Sequence, residues 1–348
     1  MKRLALIVVL VPVLLFAGAR PGDIDAATRT QTIESISKYM VDTYVDEAVG
    51  KKAASMLHAN LKSGKYESLS DGAAFARTLT EDLNSVCHDA HLRVRYSEEK
   101  LPERKKADEA SQAEIARQQE NTRLANAGFE KVERLVGNIG YLHIRGFFDP
   151  KEVVRPCQAA FDFLKNTDAL IIDLRDNGGG SPEAVQIVCS YLFDKPTHLN
   201  SLYFREGNET LEFWTKKVKG AKFLNKDVYV LVSKRTGSGA EECTYNLQTQ
   251  KRAMILGENT WGGANPGGVV RINDHFGVFI PVGKAINPIT KTNWEGTGVT
   301  PDVRVAPADA LKAAHVMAVK KLLAGAKADE PRERLQEVLR EIEETSKP

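Results

Sequence analysis

The chain has 348 residues, room for one large domain and a smaller one. Hydrophobic residues make up 42% and charged residues 27%, the usual balance of a soluble globular protein. A formal net charge of +2, with no basic stripe interleaved with aromatics, argues against a nucleic-acid partner.

Lys2 and Arg3 precede an apolar run from Leu4 to Ala17, which ends in the triplet Ala17-Gly18-Ala19. A positive start, a short apolar run and a small-x-small triplet describe a secretory signal peptide over 1–19. As a membrane anchor the run is short, at about 14 residues against the ~20 that span a bilayer, and it contains Pro12. No Cys follows the triplet to carry a lipid. The expectation is an exported protein, periplasmic or secreted, with no stable membrane span after cleavage. Cys87, Cys157, Cys189 and Cys243 are irregularly spaced in a chain too long to need staples, so buried or free thiols are expected. No CxxC pair points to a metal, and no cofactor is expected.

In chain order, residues 28–97 read as a small helical domain. Ile33, Ile36, Tyr39, Met40 and Tyr44, then Ala53, Met56, Leu57 and Leu61, recur at helical spacing. A turn at Ser68–Gly72, with Ser70 or Asp71 as N-cap, leads into a third helix carrying Phe75, Leu79 and Leu83. Residues 98–128 are highly charged and read as a helical linker, too short and polar for an inserted peptide-binding domain. From 129 to 325 strands and helices alternate, as expected of an α/β domain. Strands are expected at Ile139–Ile144, Ala169–Leu174, Val228–Val232 and Met254–Leu256, with a hairpin about Gly207-Asn208 and a last sheet region over Val269–Ile272 and Val278–Pro281. Helices are expected at Val153–Leu164, Pro182–Leu192 and Ala240–Gln250. The tail, 326–348, reads as a charged, peripheral helix.

Two loops suit acyl chemistry. Asp173-Leu174-Arg175-Asp176-Asn177-Gly178-Gly179-Gly180 ends a buried strand and precedes a helix. Consecutive glycines permit close backbone approach, and the free N–H groups of a helix start favour a developing negative charge. The Gly-Lys-Ser/Thr of a phosphate-binding Walker loop is absent. The second loop, Thr236-Gly237-Ser238-Gly239-Ala240-Glu241-Glu242, also joins a strand to a helix, and Glu241 and Glu242 have a plain reading as helix-start acids. By itself Ser238 is more simply an N-cap than a nucleophile.

Together with Ile139-Gly140-Tyr141-Leu142, Gly257-Glu258-Asn259-Thr260-Trp261-Gly262-Gly263 and Gly296-Thr297-Gly298-Val299-Thr300-Pro301-Asp302, these loops resemble the C-terminal processing (tail-specific) protease family over Phe129–Val305. The resemblance implies an N-terminal helical bundle followed by a crotonase/ClpP-like β-β-α spiral domain, with Ser238 as nucleophile. The Lys that bacterial processing enzymes pair with that Ser falls at Gly263. The chain is therefore more similar to the tricorn-like and interphotoreceptor retinoid-binding-protein-like branch, without a PDZ domain. That branch implies a His base and a Glu beside it. His88-Asp89-Ala90-His91-Leu92 then supplies His91, and Trp294-Glu295-Gly296 supplies Glu295. Tricorn-type enzymes have a Ser before the His, where this chain has Ala90, so Glu295 is expected to reach His91 directly.

The function so implied is an exported serine endopeptidase acting on peptides, unfolded protein or protein C-terminal tails. Its acyl-enzyme forms on Ser238, with oxyanion donors from Gly239 and from Gly179 in preference to Gly180. His91 is expected to titrate near neutrality, raised by the neighbouring carboxylate. Two alternatives share the architecture: a non-proteolytic binder of apolar, retinoid- or fatty-acid-like ligands, and a crotonase-like acyl-CoA enzyme.

Overall fold

The computed structural model describes residues 22–103 and 112–344. The expected signal peptide lies outside them.

Three helices come first: α1 (Ala26–Thr43), α2 (Glu47–Lys62) and α3 (Gly72–Cys87). Each starts at an aspartate. The carboxylates of Asp25, Asp46 and Asp71 accept the N–H groups of Thr28, Val49 and Ala74, donors that a helix start otherwise leaves unpaired. Ile33, Ile36, Met40, Leu57, Phe75, Leu79 and Leu83 meet between the helices. The helices do not close this core alone. β1 (Arg93–Tyr96) pairs with a strand formed by residues 276–281, whose Phe276, Val278 and Ile280 complete it. The N-terminal helices thus share one core with a hairpin more than 170 residues downstream.

α4 (Gln112–Leu124) is polar and largely exposed. The α/β part follows with β2 (Phe129–Leu135), β3 (Ile139–Ile144), α5 (Pro150–Leu164), β4 (Ala169–Asp173), α6 (Pro182–Ser190), β5 (His198–Phe204), β6 (Glu209–Trp214), β7 (Asp227–Val232), α7 (Gly239–Thr249) and β8 (Met254–Gly257). Then come β9 (Gly267–Arg271), β10 (Phe276–Pro281), β11 (Gly283–Ile286), β12 (Val303–Arg304), α8 (Ala310–Gly325) and α9 (Asp329–Glu344).

The central sheet has the order β12-β8-β7-β4-β3-β2 and is parallel except at β2. β4 shows why its sequence is apolar without alternation. Leu170 and Ile172 face α5, α6 and α7, while Ala169 and Ile171 face α8 and α9. A strand covered on both faces has no polar side. The hairpin β5–β6 is joined by β11 in a separate three-stranded sheet.

The tail departs from expectation. Leu335, Val338, Leu339 and Ile342 recur at i, i+3, i+4 and i+7 and lay α9 against α8. The charge of this helix sits on its outer face and hid the stripe. The four cysteines are unpaired, and Cys157, Cys189 and Cys243 are buried.

Candidate active site

β4 and β7 are neighbours with Asp173 opposite Leu231, so the loops leaving their C-terminal ends run side by side. That edge is where parallel sheets present ligand-binding loops. Ser238 stands there at the N-cap of α7 with φ 50° and ψ −120°, a conformation that residues with a Cβ avoid. Glu241 holds it. One carboxylate oxygen accepts the N–H groups of Ser238 at 2.8 Å and Gly263 at 2.9 Å. The other accepts the Thr260 hydroxyl at 2.5 Å and the Gly262 N–H at 2.6 Å. Burial pushes the Glu241 carboxyl up, against the pull of these hydrogen bonds. By its place in the sequence alone, Glu241 reads as an ordinary first-turn acid. The signal was the Ser-x-x-Glu spacing, by which an N3 carboxylate reaches back to the N-cap N–H.

Gly179 and Gly180 have φ +105° and +134° and lie against the Ser238 turn. A Cβ on Gly179 would sit 2.7 Å from the Gly239 nitrogen, and one on Gly180 1.9 Å from the Phe147 carbonyl oxygen, so only glycine fits at either position. Asn177 fixes this loop. Its side chain donates to the Ile144 carbonyl at 3.1 Å and accepts the Gly179 N–H at 2.8 Å, while its own carbonyl accepts the Gly237 N–H at 3.0 Å. The N–H of Gly179, the donor preferred from sequence over that of Gly180, is hydrogen-bonded to Asn177. The Gly180 nitrogen lies 3.1 Å from the Cβ position of Gly239 and has no acceptor among the described residues. The N–H of Gly239 is free by its place in the first turn of α7. A cavity of about 670 Å³ lies along the outer side of the loop, lined by Phe147, Phe148, Gly180, Ser181 and Thr122 of α4.

His91 arrives from the other half of the chain. α3 ends at His88 in the left-handed conformation, φ 50°, which turns the chain into Asp89, Ala90 and His91. The His91 ring stacks on Phe279 of β10 at 5.3 Å and meets the edge of Trp261 at 4.8 Å. One His91 ring nitrogen and carboxylate oxygens of Asp89 and Glu295 lie within 4.8 Å of one another. Glu295 accepts the Ala90 N–H at 2.9 Å and those of Ala264 and Asn265 at 2.6 and 2.9 Å. Asp89 accepts the His91 N–H at 3.0 Å and the Asn265 side-chain amide at 2.8 Å. Asp89 was missed from sequence. Its place within the His88–His91 motif was the only signal.

Burial pushes His91 down to about 4, and burial together with the Asp89 charge pushes Glu295 up to about 7. The expected near-neutral His91 is thus corrected: while Glu295 holds a proton it offers the imidazole no charge, and burial alone decides. Nδ1 of His91 is buried without a hydrogen-bond partner. Asp89, His91 and Glu295 are also groups that can ligate a metal ion.

Ser238 and His91 are joined through shared neighbours rather than by a hydrogen bond. Trp261, whose N–H donates to Thr236, lies beside both Gly237 and His91. A Cβ at Gly263 would fall 2.6 Å from Cε1 of His91 and 2.5 Å from the Trp261 ring. The imidazole therefore fills the space that any side chain at Gly263 would enter. A lysine there and His91 in its observed place exclude each other.

The family model of peptidase family S41 matches residues 138–305, and that of the N-terminal domain of peptidase S41 in eukaryotic IRBP matches residues 26–131. Carboxyl-terminal-processing peptidase 2, chloroplastic, of Arabidopsis thaliana is 30% identical over 167 residues, 47% of this chain and 31% of that protein. The tail-specific protease of Haemophilus influenzae is 30% identical over 141 residues, 40% of this chain and 19% of that protein. The chain thus matches about a third or less of the length of these relatives. A crystal structure from Parabacteroides merdae superposes with TM-score 0.58 at 17% identity, covering 87% of this chain and 98% of that one. A Streptococcus agalactiae lipoprotein superposes with TM-score 0.53 at 14% identity, covering 91% and 100%. The fold is the mixed α/β, ClpP/crotonase-like one, with N-terminal helices ahead of it.

Proposed function

Since the chain belongs to peptidase family S41, we propose that it is an exported serine endopeptidase that cleaves peptides or protein C-terminal tails through an acyl-enzyme on Ser238. The observation that carries this reading is the strained Ser238 at a helix start, flanked by the uncommitted N–H groups of Gly239 and Gly180. His91 takes the hydroxyl proton as Oγ bonds to the scissile carbonyl carbon. The two N–H groups hold the resulting oxyanion. The imidazolium then gives its proton to the leaving amine as the C–N bond breaks. A water molecule, deprotonated by the same imidazole, releases the acyl group. Ionised Glu295 steadies the imidazolium; its proton is lost near pH 7, and above that the neighbouring charge makes His91 the stronger base.

Export rests on the signal-like segment 1–19. Intact mass of the protein recovered outside the cytoplasm tests it, with a start near Arg20 expected and a retained Met1 ruling cleavage out.

Labelling by a fluorophosphonate probe, paired with a peptide-library digest, tests the chemistry. Wild type is expected to label and to cut, and Ser238→Ala to do neither. The IRBP-type N-terminal domain favours a second reading, carriage of an apolar ligand, which the absence of both labelling and cleavage in wild type would select.

A further inference from the structure

The central sheet ends at β2, and the outer edge of that strand is open. Apart from the ladder to β3, no backbone N–H or C=O of residues 130–135 has a hydrogen-bond partner among the described residues. An antiparallel strand turns every second residue's N–H and C=O away from its neighbour, so β2 presents a row of them. Such an edge is a template for another strand unless its side chains forbid the pairing. Those of β2 are charged but of mixed sign, Glu130-Lys131-Val132-Glu133-Arg134, and Glu130, Lys131 and Arg134 are exposed. A register shift between Phe129 and Lys131 leaves Glu130 outside the ladder, and the strand is regular from Lys131 to Leu135.

The charge order selects the strand that fits. A β-strand meets a second copy of itself antiparallel, about a two-fold axis. With the axis at Val132, Lys131 of each copy stands opposite Glu133 of the other, and Arg134 opposite Glu130. With the axis at Lys131 or Glu133, like charges meet instead. Opposite charges directly across an antiparallel pair stabilise it, and like charges destabilise it. Within one copy Lys131 and Glu133 pair at 2.5 Å, so their charges already lie on one face of β2, as an exchange of partners requires. Beside the edge a groove of about 380 Å³ runs between β2 and α5, with Phe129, Val132, Pro156, Ala159 and Phe163 in its lining. Pro156, Ala159 and Phe163 recur at i, i+3 and i+7 on α5, and Phe163 is 61% exposed. A two-fold axis perpendicular to the sheet keeps α5 of both copies on the same side, so the two apolar stripes flank one seam. Strand pairing gives hydrogen bonds and register, and the stripes supply the apolar area that a stable interface buries at its centre.

We propose that the chain forms a symmetric dimer by antiparallel pairing of β2 with β2 of a second copy, centred on Val132, which joins the two six-stranded sheets into one and closes the α5 grooves against each other. The parallel strands of the two copies then run in opposite directions, so the two Ser238 turns open at opposite edges of the joined sheet. This inference does not depend on the peptidase reading.

Sedimentation velocity of the full chain tests it, at about 1–100 µM and low salt. Wild type is expected to be dimeric at the upper end of that range. Lys131→Glu and Glu133→Lys each put like charges across the axis, and each is expected to weaken association by about 10–100-fold. The two variants mixed in equal amounts are expected to associate with each other, since every facing pair is again of opposite sign. Damage to the fold would not be repaired by mixing. Phe163→Ser, on the exposed stripe of α5, is expected to weaken the dimer as well. A wild type that stays monomeric at about 100 µM overturns the proposal. A dimer equally strong in both charge variants overturns it too, as does a mixture no more associated than its parts. Gain of mass only on addition of an extended peptide would give the edge to a substrate strand and also overturn it.

Discussion

In the proposed site, the nucleophile side and the base side differ in how far along the chain their parts are gathered from. Ser238, Gly239 and Gly180 sit on two turns leaving adjacent strands of one sheet, β4 and β7, and their geometry is set by neighbouring backbone and by Glu241. His91, Asp89 and Glu295 come from a helix end near residue 90 and a loop near residue 295; Phe279 and Trp261 seat the His91 ring, and Glu295 ties the two segments by accepting the N–H groups of Ala90, Ala264 and Asn265. A site made this way can lose its base while its serine stays in place. Each half is therefore expected to fail separately.

Removal of the nucleophile gives the largest effect. Ser238→Ala is expected to lower kcat/KM by on the order of 10⁴-fold or more, with the unfolding midpoint nearly unchanged. Turnover persisting at the wild-type level would take Ser238 out of the chemistry.

The base side comes next. His91→Gln is expected to cost about 10²–10⁴-fold in kcat/KM by the usual size of general-base catalysis. In wild type the rate should rise with pH through about 7, as Glu295, raised by burial, gives up its proton. His91 itself, lowered to about 4, is already neutral across that range. Glu295→Gln should therefore flatten the limb near 7 and leave a lower, pH-indifferent rate. A limb that survives in Glu295→Gln would return that titration to His91 or to Asp89.

Gly263→Ala probes the seam between the halves. Its Cβ displaces the His91 ring or Trp261. Turnover is expected to fall by up to about 10²-fold, the cost of misplacing a reacting group by an ångström. The chain should remain folded. Wild-type turnover in this variant would show that the ring is free to shift without consequence.

The difference between the halves also explains how much could be read in advance. The central sheet, the glycine loop and the Ser238 turn were legible because each is a contiguous segment with its own period and punctuation. His91 and Glu295 were reachable only through a resemblance, since nothing local in His88–His91 or Trp294–Gly296 announces a partner 200 residues away. Glu241 and Asn177 were not found. Their work is to accept and donate hydrogen bonds to backbone in three dimensions, and sequence shows only an acid in a first turn and an amide in a loop. That the Gly179 N–H is taken likewise depends on where one Asn177 oxygen points.

The smallest effect on activity is expected from α9. Leu335→Ala removes a contact with α8 on the face of the sheet away from the catalytic loops. It is expected to cost about 2 kcal/mol of stability, seen as a lower unfolding midpoint, while kcat/KM at 25 °C is unchanged. Loss of activity in a folded Leu335→Ala protein would connect the tail to the site by a route the packing does not reveal.

The pairing of β1 with β10 also sets an order of events in time. Residues 93–96 can find their partner only after residues 276–281 have emerged from the ribosome. Until then the apolar faces of α1, α2 and α3 lack Phe276, Val278 and Ile280. Contacts of such sequence separation form late, because the intervening loop must close first. His91 depends on Phe279 in the same strand for its seat, and Glu295 lies later still. A chain in which residues 276–295 have not yet joined the rest therefore carries Ser238 without His91 and Glu295 in place, and on the proposed mechanism it cannot yet hydrolyse a peptide.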